Sequence, residues 1–268
     1  MNEMSKKASR TEPVEASKTR GITVAMRHGR GRAGGSTFLD LLVQWGRAEG
    51  RSVLVGDGDR RNPTLAGLYP PGTDGGATQP ASDETPDVKQ WLTDSIEEAL
   101  GMQSSIVIDL GGGDRVMQEY GHDLALVDFC EAQGAQALGL FFSGPEVDDF
   151  EHVLAIWRAG YFRPRRSVLV FNEYLVPQGR TPHGAFARIM EQPGYGEMID
   201  GGMRPMFLPR LPCMEEMRTA GLSFLDAVAG VSGTSGKPFG PVRQFMVKQW
   251  MDKIRGEFAR IKATEWLP

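Results

Sequence analysis

Nine consecutive residues, Gly29-Arg30-Gly31-Arg32-Ala33-Gly34-Gly35-Ser36-Thr37, combine four glycines, two arginines and two hydroxyls. Glycines let backbone N–H groups close around phosphate oxygens, and a helix opening at Ser36 adds its positive end to the same place. Against the phosphate-binding pattern G-x-x-x-x-G-K-[ST], Gly29, Gly34 and Ser36 match, while Gly35 stands where the lysine belongs. Ser36 or Thr37 offers the hydroxyl that magnesium would need. Without the lysine, the loop lacks the point charge that reaches the outer phosphates. Arg30 and Arg32 can restore some of that charge but not its geometry. The plainer alternative is a tight strand-to-helix turn that happens to be rich in glycine.

Three carboxylates follow strand-like apolar runs. Asp57 and Asp59 lie just past Val53-Leu54-Val55, and Asp109 ends Ile106-Val107-Ile108. An aspartate at the end of an apolar strand can hold Mg²⁺ directly or through water. Each one taken singly reads as a turn or helix cap, but three beside a glycine loop point to a shared cation site. His28, His122, His152 and His183 have no metal-ligand spacing. Ser36 lacks a G-x-S-x-G frame, so it is not a hydrolase nucleophile. Arg163-Pro164-Arg165-Arg166 reads as a solvated edge, with a local DNA or partner patch as the alternative.

These residues need elements to hold them. Gly21–Met26 reads as a buried strand, and Phe38, Leu41, Leu42 and Trp45 give helical spacing from Ser36 to near Gly50. Further strands are expected at Ser52–Val55, Ser105–Asp109, Ala137–Phe142, Ser167–Phe171 and Pro205–Leu208. Helices are expected at Trp91–Leu100, Glu146–Ala159, Met214–Ala220 and 242–261, and Tyr69–Asp87 reads as a long loop rich in Pro, Gly, Thr and Ser. Continuous apolar strands separated by helices describe an α/β fold with an open, mostly parallel sheet covered by helices on both faces. Residues 1–20 are polar and aperiodic and read as a flexible arm, leaving 21–268 as a single domain. The net charge of −4 argues against a chain coated with nucleic-acid-binding charge, and no apolar run is long enough to span a membrane. Cys130 and Cys213 form no metal spacing, and the polar N-terminus has no secretory pattern, so a cytoplasmic location is expected. The apolar stripe of the last helix, Val242, Phe245, Met246, Trp250, Ile254, Phe258 and Ile261, reads as packed on the sheet. A basic amphipathic membrane-surface helix is its alternative.

Taken in order, these segments resemble the ParA/MinD family of deviant-Walker P-loop ATPases. The family's G-K-G-G-x-G-K-[ST]-[ST] aligns on Gly29–Thr37, its D-x-D-x-x-x-N-x-T is similar to Asp57–Thr64 with one residue fewer, and its h-h-h-D is similar to Ile106–Asp109. Leu169–Tyr174, Leu208-Pro209-Arg210, Leu222–Ala227, Arg243-Gln244 and Lys248–Trp250 are closer to the TraL/StbB-like branch of plasmid conjugal-transfer and stability proteins. The resemblance implies ATP or ADP with Mg²⁺ bound by a degenerate Walker A loop. It implies a nucleotide-dependent homodimer, with a plasmid-encoded protein or DNA as a further partner. Arg30 falls on the signature lysine that reaches the partner subunit's phosphates, Asp59 on the aspartate that positions the attacking water, and Asp57 on a carboxylate near the magnesium shell. Asn172 falls on the asparagine that reads the adenine edge, beside Pro209. Because both lysines of the loop are replaced, by Arg30 and Gly35, the resemblance implies weak or partner-dependent hydrolysis at most. A pseudo-ATPase scaffold is the alternative.

Overall fold

The computed structural model describes residues 21–111 and 114–268. The arm expected at 1–20 lies outside the described residues. Within them, seven strands form one sheet: β1 (Thr23–His28), β2 (Val53–Asp57), β3 (Ala77–Thr78), β4 (Ser105–Asp109), β5 (Gln136–Ser143), β6 (Arg166–Asn172) and β7 (Arg204–Leu208). Their order is β3-β2-β4-β1-β5-β6-β7, and every neighbouring pair is parallel. The connection after β1 leads toward one edge and that after β5 toward the other. The winding therefore reverses at the sheet centre, where α/β sheets open a crevice beyond the carboxyl ends of their strands.

The helices are α1 (Gly35–Ala48), α2 (Thr64–Leu68), α3 (Thr85–Gly101), α4 (Asp114–Asp123), α5 (Leu126–Ala132) and α6 (Val147–Ala159). The second half adds α7 (Pro182–Met190), α8 (Pro193–Asp200), α9 (Met214–Thr219), α10 (Phe224–Ala229) and α11 (Pro241–Arg260). Side chains alternate across the sheet, so one strand serves two cores. Ala25, Val53, Val55, Val107 and Leu140 pack with α1, α10 and α11 on one face. Val24, Met26, Ile106 and Ile108 pack with α3, α4 and α5 on the other. Phe141, Leu169 and Phe171 extend that second face under α6 and α7. Both faces are covered, which explains why the strands are nearly unbroken runs of apolar residues.

The differences from expectation have local causes. The first strand begins later than expected and runs on through Arg27 and His28, both buried despite their polarity. The stretch expected as loop from Tyr69 contains β3, which pairs Ala77 and Thr78 with Val55 and Gly56, and its last residues already belong to α3. A two-residue edge strand held by backbone bonds leaves no side-chain pattern to read. Tyr69 is anchored as well: its hydroxyl donates to Asp40 Oδ1 at 2.6 Å, and Asp40 also pairs with Arg218 at 2.7 Å. The middle and end of α11 bury Val247, Trp250, Met251, Ile254 and Phe258 in the core, while Val242, Phe245 and Met246 near its start stay exposed. Among the described residues, no helix is long and apolar enough to cross a membrane.

Candidate functional site

The alternation that places Ala25 on the α1 face places Arg27 there too, at the carboxyl end of β1. Asp109 on β4 is its registered neighbour, and Asp57 on β2 is the registered neighbour of Asp109. Three charged side chains thus stand in a row under the N-terminus of α1. Arg27 is 4% exposed. Its Nη1 donates to the carbonyls of Gly111 at 2.5 Å and Gly29 at 3.2 Å, Nη2 donates to the carbonyl of Arg30 at 3.4 Å, and Nε lies 3.5 Å from Asp109 Oδ1. Nε itself is buried without a hydrogen-bond partner among the described residues.

Above this row the chain turns into α1. Gly29 and Gly34 have φ of +123° and +87°, and Arg32 also adopts the left-handed region at +64°. A Cβ on Gly29 would lie 2.5 Å from the carbonyl oxygen of Phe142, so close packing fixes that glycine as firmly as its backbone angle does. No side chain caps α1, whose N-cap is Gly34. Its first-turn N–H groups have no intrahelical acceptors, and they open with Gly34, Gly35, Ser36 and Thr37 onto a cavity of about 610 Å³. Ser36 Oγ donates to Asp109 Oδ2 at 2.5 Å, which joins the loop to the strand-end carboxylate.

The three aspartates do different work. Asp57 is buried and accepts from the backbone N–H groups of Ala66, at 2.8 Å, and Asp59, at 3.1 Å. It has the capping part that the plainer reading gave to each carboxylate. Burial raises its pKa to about 6, and the neighbouring Asp109 adds to the rise, against the pull of those backbone donors. Asp59 lines the cavity, and its Oδ1 accepts from the backbone N–H of Asn62 at 3.0 Å. Asp109 meets both the hydroxyl and the guanidinium, and its Oδ1 also accepts from the backbone N–H of Gly111 at 2.9 Å. Among the described residues, no group of three or more His, Cys, Asp or Glu converges to hold a metal. A cation here would draw on Ser36, Asp109 and the ligand's own oxygens.

The far wall is apolar. Leu208, Pro209, Leu211, Met214 and Trp250 line it, with Tyr174 at the rim. Trp250 Nε1 donates to the carbonyl of Pro209 at 2.6 Å and fixes that loop. Asn172 is buried: Nδ2 donates to the carbonyl of Ala33 at 2.8 Å, and Oδ1 accepts from the backbone N–H of Tyr174 at 3.0 Å. It clamps the glycine loop to β6, and a Cβ on Gly34 would strike its amide.

The cavity therefore gathers Gly31, Arg32, Gly34, Gly35, Ser36, Thr37, Asp59, Asn172 and Pro209 from the sequence-based set. Asp57 and Asp109 sit beneath it, and Gly29 and Ala33 hold the loop's backbone. Arg30 does not join them: its Nη1 pairs with Asp149 Oδ1 at 3.2 Å, at the start of α6. Arg27 is the residue that pattern reading misses. A cation closing a buried strand directly before a glycine loop is the signal that could have found it.

No protein-family model matches this sequence, and no curated protein matches it. Among solved structures it is similar to the signal recognition particle receptor FtsY from Elizabethkingia anophelis, at 14% identity over 88% of this chain and 66% of that one, with a TM-score of 0.46. It is also similar to the MinD cell division protein of Aquifex aeolicus, at 11% identity over 88% and 98% of the two chains and a TM-score of 0.45. The signal recognition particle 54 kDa protein from Aeropyrum pernix, solved with GDP, gives 12% identity over 92% and 50%, with a TM-score of 0.43. The chain spans 59% of the length of chloroplast FtsY from Physcomitrella patens and 66% of the Elizabethkingia FtsY. These are likenesses of fold at low identity.

Proposed function

We propose that this chain binds a nucleoside di- or triphosphate, ATP or ADP with Mg²⁺, at the cavity over α1. The observation that carries the reading is the uncapped start of α1, which opens onto the cavity with Ser36 joined to Asp109 at 2.5 Å. Unpaired helix N–H groups and a hydroxyl suit phosphate oxygens. The apolar wall at Leu208, Pro209 and Trp250 suits a base. A bound magnesium nucleotide would supply the cation that Ser36 and Asp109 are placed to receive. Pro209 and Asn172 would flank the base, and Asp59 would orient water at the open side.

In its finer form the reading is a ParA/MinD-like protein that acts in plasmid transfer, stability or partition through a nucleotide-dependent homodimer, with a plasmid-encoded protein or DNA as partner. Its support is the order of sequence motifs. Arg30 would then leave Asp149 to meet the partner subunit's phosphates. A second reading, a pseudo-ATPase scaffold that binds a protein partner or DNA without turnover, is favoured by two observations. Position 35 carries no charge, and Asp57 is committed to backbone N–H groups.

Titration calorimetry of ATP, ADP and GDP, with and without Mg²⁺, tests the site. Magnesium-dependent binding is expected, and Ser36→Ala should weaken it at least tenfold. Failure of every nucleotide to bind at millimolar concentration would end the nucleotide reading in favour of the scaffold. Binding without measurable hydrolysis, in the presence of DNA as well, would select the scaffold.

A further inference from the structure

Arg27 is a buried cation that lines the cavity and is bonded mainly to neutral groups among the described residues. Three of its contacts are neutral carbonyls, those of Gly29, Arg30 and Gly111. Among the described residues its one carboxylate neighbour is Asp109, 3.5 Å from Nε and shared with Ser36. A guanidinium carries five N–H donors. Among the described residues, the donors left over are Nε–H, which has no hydrogen-bond partner, and one N–H on Nη2. Nε is buried and faces Asp109, so the Nη2 end of the guanidinium is the part that can meet a phosphate oxygen, by a charge-assisted bond. Arg27 also lines the cavity, beside Gly34, Gly35 and Ser36.

Gly35 makes room for it. A Cβ at position 35 would lie 2.3 Å from Arg27 Nε, 2.7 Å from Cγ and 2.9 Å from Cδ. The arginine stem therefore fills the space into which a side chain at position 35 would start, and the two residues exclude each other. The other arginines near the loop lie farther out. Arg30 is held by Asp149, and Arg32 is exposed at the mouth.

We propose that Arg27, delivered from the end of β1, is the phosphate-binding cation of this site and stands in for the lysine that Gly35 replaces. Its ligand is the outer phosphate of a nucleoside di- or triphosphate, so the assignment rests on the nucleotide reading above. Moving the cation from the helix to the strand keeps one positive charge under the loop while changing the residue that carries it.

The test compares ADP with AMP, each with Mg²⁺, by calorimetry on the full chain. Arg27→Ala should weaken ADP binding at least tenfold and change AMP binding by less than threefold. A merely structural arginine would lower both alike. The exchange variant Arg27→Ala/Gly35→Lys should bind ADP at least fivefold tighter than Arg27→Ala. If the single variant does not fold, the exchange is compared with Arg27→Ala/Gly35→Met, which fills the same space without charge. Equal ADP binding by that pair overturns the proposal, as does an Arg27→Ala protein that keeps the parent's ADP affinity or loses AMP equally. A parent that binds neither nucleotide overturns the nucleotide reading and this assignment with it. A parent that binds ADP while Arg27→Ala binds it as well overturns this assignment alone.

Discussion

The mutual exclusion of Gly35 and Arg27 makes a stability prediction that needs no ligand. In an ordinary helix, Gly→Ala gains up to about 1 kcal/mol. At position 35 the new methyl would lie within 3 Å of three Arg27 atoms, all in the middle of the side chain rather than at its free end. Arg27 cannot swing aside cheaply, because Nη1 is tied to the carbonyls of Gly111 and Gly29. Forcing extra volume into such a place costs about 1–3 kcal/mol, and weakening the buried pair with Asp109 adds to that. Gly35→Ala should therefore destabilise the parent by about 2 kcal/mol. In an Arg27→Ala background the obstruction is gone, and the same change should be neutral or stabilising by up to about 1 kcal/mol. Urea unfolding of the four proteins gives the coupling energy directly, with about 2–3 kcal/mol expected. A coupling below about 0.5 kcal/mol would show that the two sites act independently, and that Gly35 has no part in accommodating Arg27.

Two further outcomes follow from buried charges elsewhere. Asp40 is 1% exposed and pairs with Arg218, with Gln44 and Tyr69 completing its bonds. Arg218→Ala should cost about 3–5 kcal/mol by stranding that carboxylate, and a loss under about 1 kcal/mol in urea unfolding would show the pair to be no better than a surface one. His28 is stacked against Phe141 at 4.8 Å, and burial, helped by the Arg27 charge, lowers its pKa to about 3. The unfolded chain takes up the proton near pH 6.5 and the folded one does not. The stability His28 protects is therefore complete above pH 6.5 and is lost as pH falls toward 3. Relative to His28→Phe, the parent should lose about 2 kcal/mol between pH 6.5 and pH 4.5; parallel stability curves for the two proteins would refute the buried neutral imidazole.

Much of the fold is written in the strands. The centres of β4 and β6 are runs of Val, Ile, Leu and Phe, and those of β1 and β5 add Ala, Met and Gly, because a parallel strand covered on both faces leaves no polar positions between its ends. What escapes pattern reading is held by backbone or by single contacts. β3 is two residues long, and α2 ends after five residues, with Asp57 bonded to the N–H of Ala66 in its first turn. At the site, the glycine loop, Ser36 and Asp109 are legible because each needs its residue type at its spacing. The separate roles of the aspartates are not. Asp57 and Asp59 are only two residues apart, yet the first ends β2 and caps α2 while the second faces the cavity.

Arg27 shows where such reading stops. A motif compares residue types at fixed spacing along the chain, whereas a phosphate feels only where a charge sits. Position 35 looks deficient against the pattern, yet the space it vacates is filled by a guanidinium from the neighbouring strand. The substitution changes more than the carrier of the charge. A lysine on the helix holds phosphate through a flexible stem, while Arg27 is fixed to three loop carbonyls before any ligand arrives. Such a group costs little to organise for binding, but it has little freedom to follow a phosphoryl group as charge redistributes during transfer. If the cavity binds a nucleotide as proposed, a site built this way would favour holding it over turning it over, the same direction in which the capping role of Asp57 points.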